Sequence, residues 1–111
     1  MSAQQDEITR ILVVEDEPEQ AQLIFEEFAR AHSSWEVELA RTAAECTARL
    51  EQAGYDVLLL DYVLPDEDGL ALLRSLRPRF PEMVVIVMTA FGDEDVAAEA
   101  LRAGADDYVS K

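Results

Sequence analysis

The chain has 111 residues, half of them apolar, and its 24 acidic against 9 basic residues give a formal net charge of −15. This length allows one domain with a modest core, and the apolar share argues against a disordered chain. The negative charge argues against direct binding of nucleic acid or of an anionic membrane by this domain, but it is compatible with capture of a cation.

The cellular setting is indicated by the first residues and by the cysteine content. Residues 1–7 are polar and acidic, unlike a signal peptide, and no apolar run approaches the length of a membrane span. The single cysteine, Cys46, cannot form an internal disulfide, which fits a reducing compartment. We therefore expect a polar tail over residues 1–7, one domain over residues 8–111, and a cytoplasmic location.

Short apolar runs alternate along the chain with apolar residues at helical spacing. The apolar runs predict five strands, over residues 8–14, 35–39, 56–60, 83–88 and 106–110. The helical spacing predicts four helices, which begin near Pro18, at a capping box Thr42–Glu45, at Asp68 and at Asp93, with Gly54 and Gly104 as stop signals for two of them. Strands and helices that alternate in this way predict right-handed crossovers and a parallel sheet.

The third predicted strand is the centre of this pattern. Residues 57–60 are apolar without a break and lead directly into Asp61, as in a parallel strand that is buried on both faces. Pro65 prevents further pairing beyond that point. We predict a flavodoxin-like, doubly wound α/β sheet of five parallel strands in the order 2-1-3-4-5, with a ligand crevice between strands 1 and 3 at their carboxyl ends.

Polar side chains follow four of the five predicted strands, and this topology brings them together: Glu15 and Asp16, Asp61, Thr89, and Lys111. Three carboxylates in one pocket repel one another unless a cation lies among them, and a few oxygen ligands with retained waters suit Mg²⁺. The lysine supplies a positive charge for a phosphate or for Asp61 itself, and the threonine a neutral donor. These groups suit the formation of an aspartyl phosphate, with Asp61 as nucleophile.

With these segments in place, the chain resembles the receiver domain of bacterial two-component response regulators. The resemblance rests on residues 11–17, residues 59–65, Gly69, residues 87–90 and residues 104–111, and it covers essentially the whole chain after residue 7. It implies a signalling domain that takes a phosphoryl group onto Asp61 from a phosphohistidine, and not an enzyme with a separate turnover substrate. The implied partner is a sensor histidine kinase or a phosphotransfer protein.

The resemblance also implies roles for the residues around Asp61. Asp16, Asp61 and the backbone carbonyl of Val63 would hold Mg²⁺, and Glu15 would help through a water molecule. Thr89 and Lys111 would contact the phosphoryl oxygens.

Three further residues acquire expected roles from the same resemblance. Tyr108 is similar to the switch aromatic that turns inward when the threonine moves. Val63 and Phe91 occupy the two positions that flank the path of a hydrolytic water. Because both are apolar, we expect a long-lived aspartyl phosphate.

The chain departs from the family at its end, because family members continue past this lysine with a proline and a fifth helix, whereas nothing follows Lys111. We expect a C-terminally truncated receiver without its fifth helix. The sheet face that this helix would share with the first helix would then expose apolar side chains, so a homodimer is also expected.

Alternative functions depend on the same positions. A haloacid-dehalogenase-like phosphatase needs a second acid two residues after the nucleophile, and Val63 stands there. A flavodoxin-like cofactor binder needs a phosphate-cradling loop after the first strand, where Glu15, Asp16 and Glu17 would repel a phosphate. A degenerate or truncated receiver that acts only as a protein-interaction module is the remaining alternative. Each site residue alone has an ordinary structural explanation, and the agreement of five placements favours the functional one.

Overall fold

The computed structural model describes residues 8–31, 34–89 and 94–110. Strands and helices alternate through these residues as predicted. In chain order they are β1 (Thr9–Val14), α1 (Pro18–Ala31), β2 (Trp35–Ala40), α2 (Ala43–Gln52), β3 (Val57–Asp61), α3 (Gly69–Leu76), β4 (Val84–Thr89), α4 (Glu94–Ala103) and β5 (Asp107–Ser110). At most of the strand ends, the predicted limit differs from the observed bound by one residue. Asp61 is itself the last residue of β3.

All strands are parallel and lie in the order β2-β1-β3-β4-β5, which confirms the predicted doubly wound sheet. The register aligns the carboxyl ends of the two central strands, because Val14 of β1 pairs with Leu60 of β3. The residues that come next, Glu15 and Asp61, are therefore neighbours at one edge of the sheet.

The unbroken apolar runs are explained by burial on both faces of the sheet. On one face, alternate strand residues such as Leu12, Leu58 and Val85 pack with helices α2 and α3. On the other face, Ile11, Val13 and Leu59 are buried beside partly buried side chains of α1. Because successive strand residues point to opposite faces, a strand between two helical layers has no position for a polar side chain.

The helix boundaries follow the predicted signals, with two differences in detail. The predicted stop Gly54 lies one residue past Ala53, the C-cap of α2, and among the described glycines only Gly104 has a positive φ. The Thr42 hydroxyl accepts the Glu45 N–H at 3.0 Å, but the Glu45 carboxylate accepts the N–H of Arg41 at 2.9 Å, one residue before the cap. Asp68 caps α3 through the Leu70 N–H. Gly104 follows α4 with φ of +115°, a conformation that favours glycine. The predicted cap Asp93 lies outside the described residues.

The face that carries α1 has an open apolar groove of about 270 Å³ between this helix and strands β3, β4 and β5. Its walls include Phe28, Leu59, Met88 and Val109, and Val109 is 44% exposed. The described residues of this face therefore leave an apolar groove open, and the expected truncation and homodimer stay predictions.

A charged network ties β1, β2 and α2 together around the Glu38 carboxylate. Glu38 accepts hydrogen bonds from Arg10 and from Arg49, each at 3.1 Å, and from the Tyr55 hydroxyl, while the Arg10 guanidinium lies 5.0 Å from the centre of the Tyr55 ring. The hydrogen bond from Tyr55, together with those positive charges, holds the pKa of Glu38 below its usual value of 4.5 despite the opposing effect of burial.

We expect Glu38→Gln to lower the free energy of unfolding by about 1–2 kcal/mol at neutral pH, because it weakens three charge-assisted contacts of a partly exposed group. A carboxylate whose pKa is lowered by folding stabilises the fold above the unfolded pKa and loses that effect as pH falls through the folded pKa. Urea unfolding at neutral and acidic pH should therefore show the two proteins converging in acid. Glu36→Gln is the control, since Glu36 is half exposed and pairs only loosely with Arg10, at 3.5 Å; equal losses in both variants would contradict the prediction.

Candidate functional site

Three carboxylates meet where β1 and β3 end. Glu15 and Asp16 directly follow β1, Asp61 ends β3, and one carboxylate oxygen from each lies within 4.8 Å of the others. Glu15 and Asp61 are buried, with exposed fractions of only 1% and 3%, while Asp16 is partly exposed. The sheet register causes this convergence, which confirms the predicted meeting of these three side chains.

Local hydrogen bonds orient two of these carboxylates. Asp61 Oδ1 accepts the Val63 N–H at 3.1 Å, and Glu15 Oε2 accepts the Glu17 N–H at 3.2 Å. Three buried or partly buried negative charges at this separation repel one another, which favours a cation among them. The donors are all hard oxygens, and they lie at a partly exposed edge where waters can complete a coordination shell, so the residues present fit Mg²⁺.

The loop after Asp61 folds back onto the strand end. The Tyr62 N–H bonds to the Met88 carbonyl at 3.0 Å, and the Gly69 N–H bonds to the Tyr62 carbonyl at 2.9 Å. Val63 and Asp68 form an antiparallel bridge that closes the loop. A Cβ on Gly69 would lie 2.5 Å from the Asp61 carbonyl oxygen, so only glycine permits this close return.

Thr89 lies at the end of β4, one strand away from Asp61. Its side chain is 2% exposed, and its hydroxyl donates to the Val109 carbonyl at 3.4 Å. Met88 pairs with Asp61, and Thr89 pairs with Ser110 at the end of β5. The structure thus places Thr89 at the predicted edge, and the predicted Lys111 and Phe91 lie outside the described residues.

The remaining predicted residues, Val63 and Tyr108, are exposed. Val63 is 64% exposed beside Asp61, and Tyr108 is 42% exposed on β5. Neither observation tests the role expected for these side chains.

Sequence reasoning missed Asp66, in the loop after Asp61. Its two carboxylate oxygens accept the N–H groups of Ala43 and Ala44, at 2.9 and 3.1 Å. These bonds, chiefly the one from Ala43, lower the pKa of Asp66 below its usual value. The only available signal was an aspartate after Pro65, which is equally typical of an ordinary turn.

Comparison with known proteins assigns the family. Residues 11–111 match the family model of the response regulator receiver domain. The chain belongs to this family. It is 37% identical over 102 residues to the transcriptional regulatory protein TrcR of Mycobacterium tuberculosis, and these residues cover 92% of the chain and 39% of that protein. It is 39% identical over 102 residues to the transcriptional regulatory protein BaeR of Escherichia coli O6:H1, covering 92% of the chain and 41% of that protein.

Solved receiver structures have the same fold. The receiver domain of the TMAO respiratory system response regulator TorR superposes with a TM-score of 0.84 at 34% identity, over 93% of this chain and 83% of that one. The response regulator TrrA from Thermotoga maritima, in complex with Mg²⁺ and BeF, gives 0.82 at 30% identity over 94% of this chain and 87% of that one.

These relatives support a role in two-component phosphorelay signalling. The chain spans about two fifths of the length of TrcR and of BaeR. Within the described residues, no helix is both long and apolar enough to cross a membrane.

Proposed function

We propose that this receiver domain accepts a phosphoryl group on Asp61 in a Mg²⁺-dependent reaction and changes conformation in response. The observation that carries the proposal is the group of three carboxylates within 4.8 Å at the ends of β1 and β3. In a receiver-family chain, this is the arrangement expected of a nucleophile beside a metal site.

The proposed metal ligands are Asp16, Asp61 and the backbone carbonyl of Val63, with Glu15 acting through water. Bound Mg²⁺ would offset the negative charge of the carboxylates and of the incoming phosphoryl group. A carboxylate oxygen of Asp61 attacks phosphorus, the bond from phosphorus to the leaving group breaks, and that group departs with the electron pair. The donor in the cell would be a phosphohistidine on a sensor histidine kinase or a phosphotransfer protein.

The proposed switch starts from Thr89. Its hydroxyl bonds weakly to the Val109 carbonyl, at 3.4 Å, and would exchange this partner for a phosphoryl oxygen, which Lys111 would also contact. Tyr108 would then turn inward from its exposed position. This is a shift between two arrangements, and the phosphoryl group favours one of them.

Acetyl phosphate, a small-molecule donor, tests the proposed activity without a kinase. Incubation with Mg²⁺ should add one phosphoryl group by intact-mass spectrometry, and chelation of Mg²⁺ should prevent the addition. A protein that remains unlabelled with both reagents would support an interaction module without phosphorylation.

We expect Asp16→Asn to weaken Mg²⁺ binding by at least about tenfold, because even groups outside the first coordination shell are worth that much at metal sites. Calorimetric titration measures the change. Glu17→Gln is the matched control, because Glu17 is the next residue after Asp16 and its side chain is exposed. This variant removes the same charge without removing a proposed ligand. Equal affinities of the two variants would contradict the assignment of Asp16 as a ligand.

The lifetime of the aspartyl phosphate should depend on Val63 and Phe91. Hydrolysis needs a water in line with the bond between Asp61 and phosphorus, and two apolar side chains cannot orient it. We expect the double variant Val63→Asn, Phe91→Glu to lose its phosphoryl group several-fold faster. This is below the roughly 10²–10⁴-fold that a well-positioned acid or base contributes. Decay is followed by intact mass after removal of the donor. Decay at the wild-type rate or slower would contradict the role expected for these two side chains.

A further inference from the structure

The loop of residues 62–68 is attached to two different helices. At its base, the Gly69 N–H bonds to the Tyr62 carbonyl at 2.9 Å, and Asp68 bridges to Val63 while its side chain caps α3. At its tip, Asp66 lies against the first turn of α2. The loop is therefore fixed to α3 at its base and to α2 at its tip.

The contact at the tip satisfies groups that need a partner. The first N–H groups of a helix have no acceptor within the helix, and they attract a negative charge. Thr42 accepts the N–H of Glu45, and the Asp66 carboxylate accepts those of Ala43 and Ala44. The sequence separation is 22 and 23 residues, so this is a tertiary contact and not a local helix cap.

The anchor on α2 is firm, because this helix is seated in the core. Ala43, Cys46 and Leu50 are buried, with exposed fractions of 2%, 0% and 4%. A loop tip bound to such a helix has little freedom to move relative to the sheet. Val63 belongs to the base of this loop through its bridge to Asp68, and it is the residue whose carbonyl is the proposed metal ligand.

We propose that Asp66 is a positioning residue for the metal site: its bonds to the first turn of α2 hold the loop so that the Val63 carbonyl is preorganised beside Asp16 and Asp61. This inference rests on the proposed function. Asp66 is itself exposed and outside the group of three carboxylates, so it acts through the loop.

Three variants separate positioning from a simple loss of charge. Asp66→Ala removes both acceptors, Asp66→Asn keeps one acceptor oxygen without the charge, and Glu67→Gln removes one negative charge from the next, exposed residue. We expect Asp66→Ala to raise the Mg²⁺ dissociation constant about tenfold, as loss of a supporting group does at other metal sites. Asp66→Asn should fall between this variant and the wild type, and Glu67→Gln should match the wild type.

The measurements are Mg²⁺ calorimetry, amide exchange at Ala43 and Ala44, and acetyl-phosphate labelling at limiting and saturating Mg²⁺. Positioning predicts faster exchange at both amides and slow labelling of Asp66→Ala only at limiting Mg²⁺. A role in stability alone predicts faster exchange with unchanged Mg²⁺ affinity, and this result would overturn the inference, as would equal effects of all three variants. Wild-type protein that neither binds Mg²⁺ nor accepts label would instead contradict the proposed function, and the inference with it.

Discussion

Gly69→Ala should lower the free energy of unfolding by about 2–4 kcal/mol, although alanine is the better helix former by about 1 kcal/mol. The added Cβ would lie 2.5 Å from the Asp61 carbonyl oxygen and 2.7 Å from that of Tyr62. Both are backbone atoms next to a central strand, so neither can move aside as a flexible side chain would. The end of β3 or the start of α3 has to shift instead.

Urea unfolding measures this loss, and Gly54→Ala is its matched control. A Cβ on Gly54 would meet no atom within 4 Å, so this variant should stay within about 1 kcal/mol of the wild type. The same displacement in Gly69→Ala should disturb Asp61 and Val63 and reduce acetyl-phosphate labelling. Equal stability of the two variants would show that the loop can relax and that its close return is not required.

Asp61→Ala should abolish labelling by acetyl phosphate, because it removes the proposed nucleophile. Asp61→Asn should do the same while remaining folded. Without divalent cations it should be at least as stable as the wild type, since it removes one of three neighbouring negative charges. Intact mass and urea unfolding of the same samples separate lost chemistry from lost structure.

Glu67→Gln is the control for this second prediction, because it removes one charge from an exposed residue of the same loop. It should label like the wild type. Full labelling of either Asp61 variant would mean that another acidic residue accepts the phosphoryl group.

The sequence was sufficient to predict the fold because its short apolar runs alternate with segments of helical spacing. A strand such as residues 57–60 has no polar position only where helices cover both faces, and this predicts a parallel sheet. Because the carboxyl ends of parallel strands meet at one edge of the sheet, the strand order then predicted the meeting of Glu15, Asp16 and Asp61. The errors at strand ends are of one residue because pairing, which places Asp61 opposite Met88, is not a local property.

Contacts made across the fold could not be predicted in this way. The bonds of Asp66 to α2 join residues more than 20 positions apart, and no local pattern distinguishes such an aspartate from a turn residue. The family resemblance pointed to Gly69 but did not give the physical reason for a glycine there. The reason is that a Cβ at this position would lie too close to the backbone of Asp61 and Tyr62. The bond from Thr89 to Val109 depends on the neighbouring strand in the same manner.

The most direct test of Mg²⁺-dependent phosphorylation at Asp61 is to locate the phosphoryl group itself. Borohydride reduces an aspartyl phosphate to homoserine, which stays in place through digestion and peptide mass spectrometry. Protein treated with acetyl phosphate and Mg²⁺ should carry homoserine at position 61 and at no other aspartate, and protein treated without Mg²⁺ should carry none. Homoserine at another position, or at position 61 in equal amounts without Mg²⁺, would contradict the proposed site.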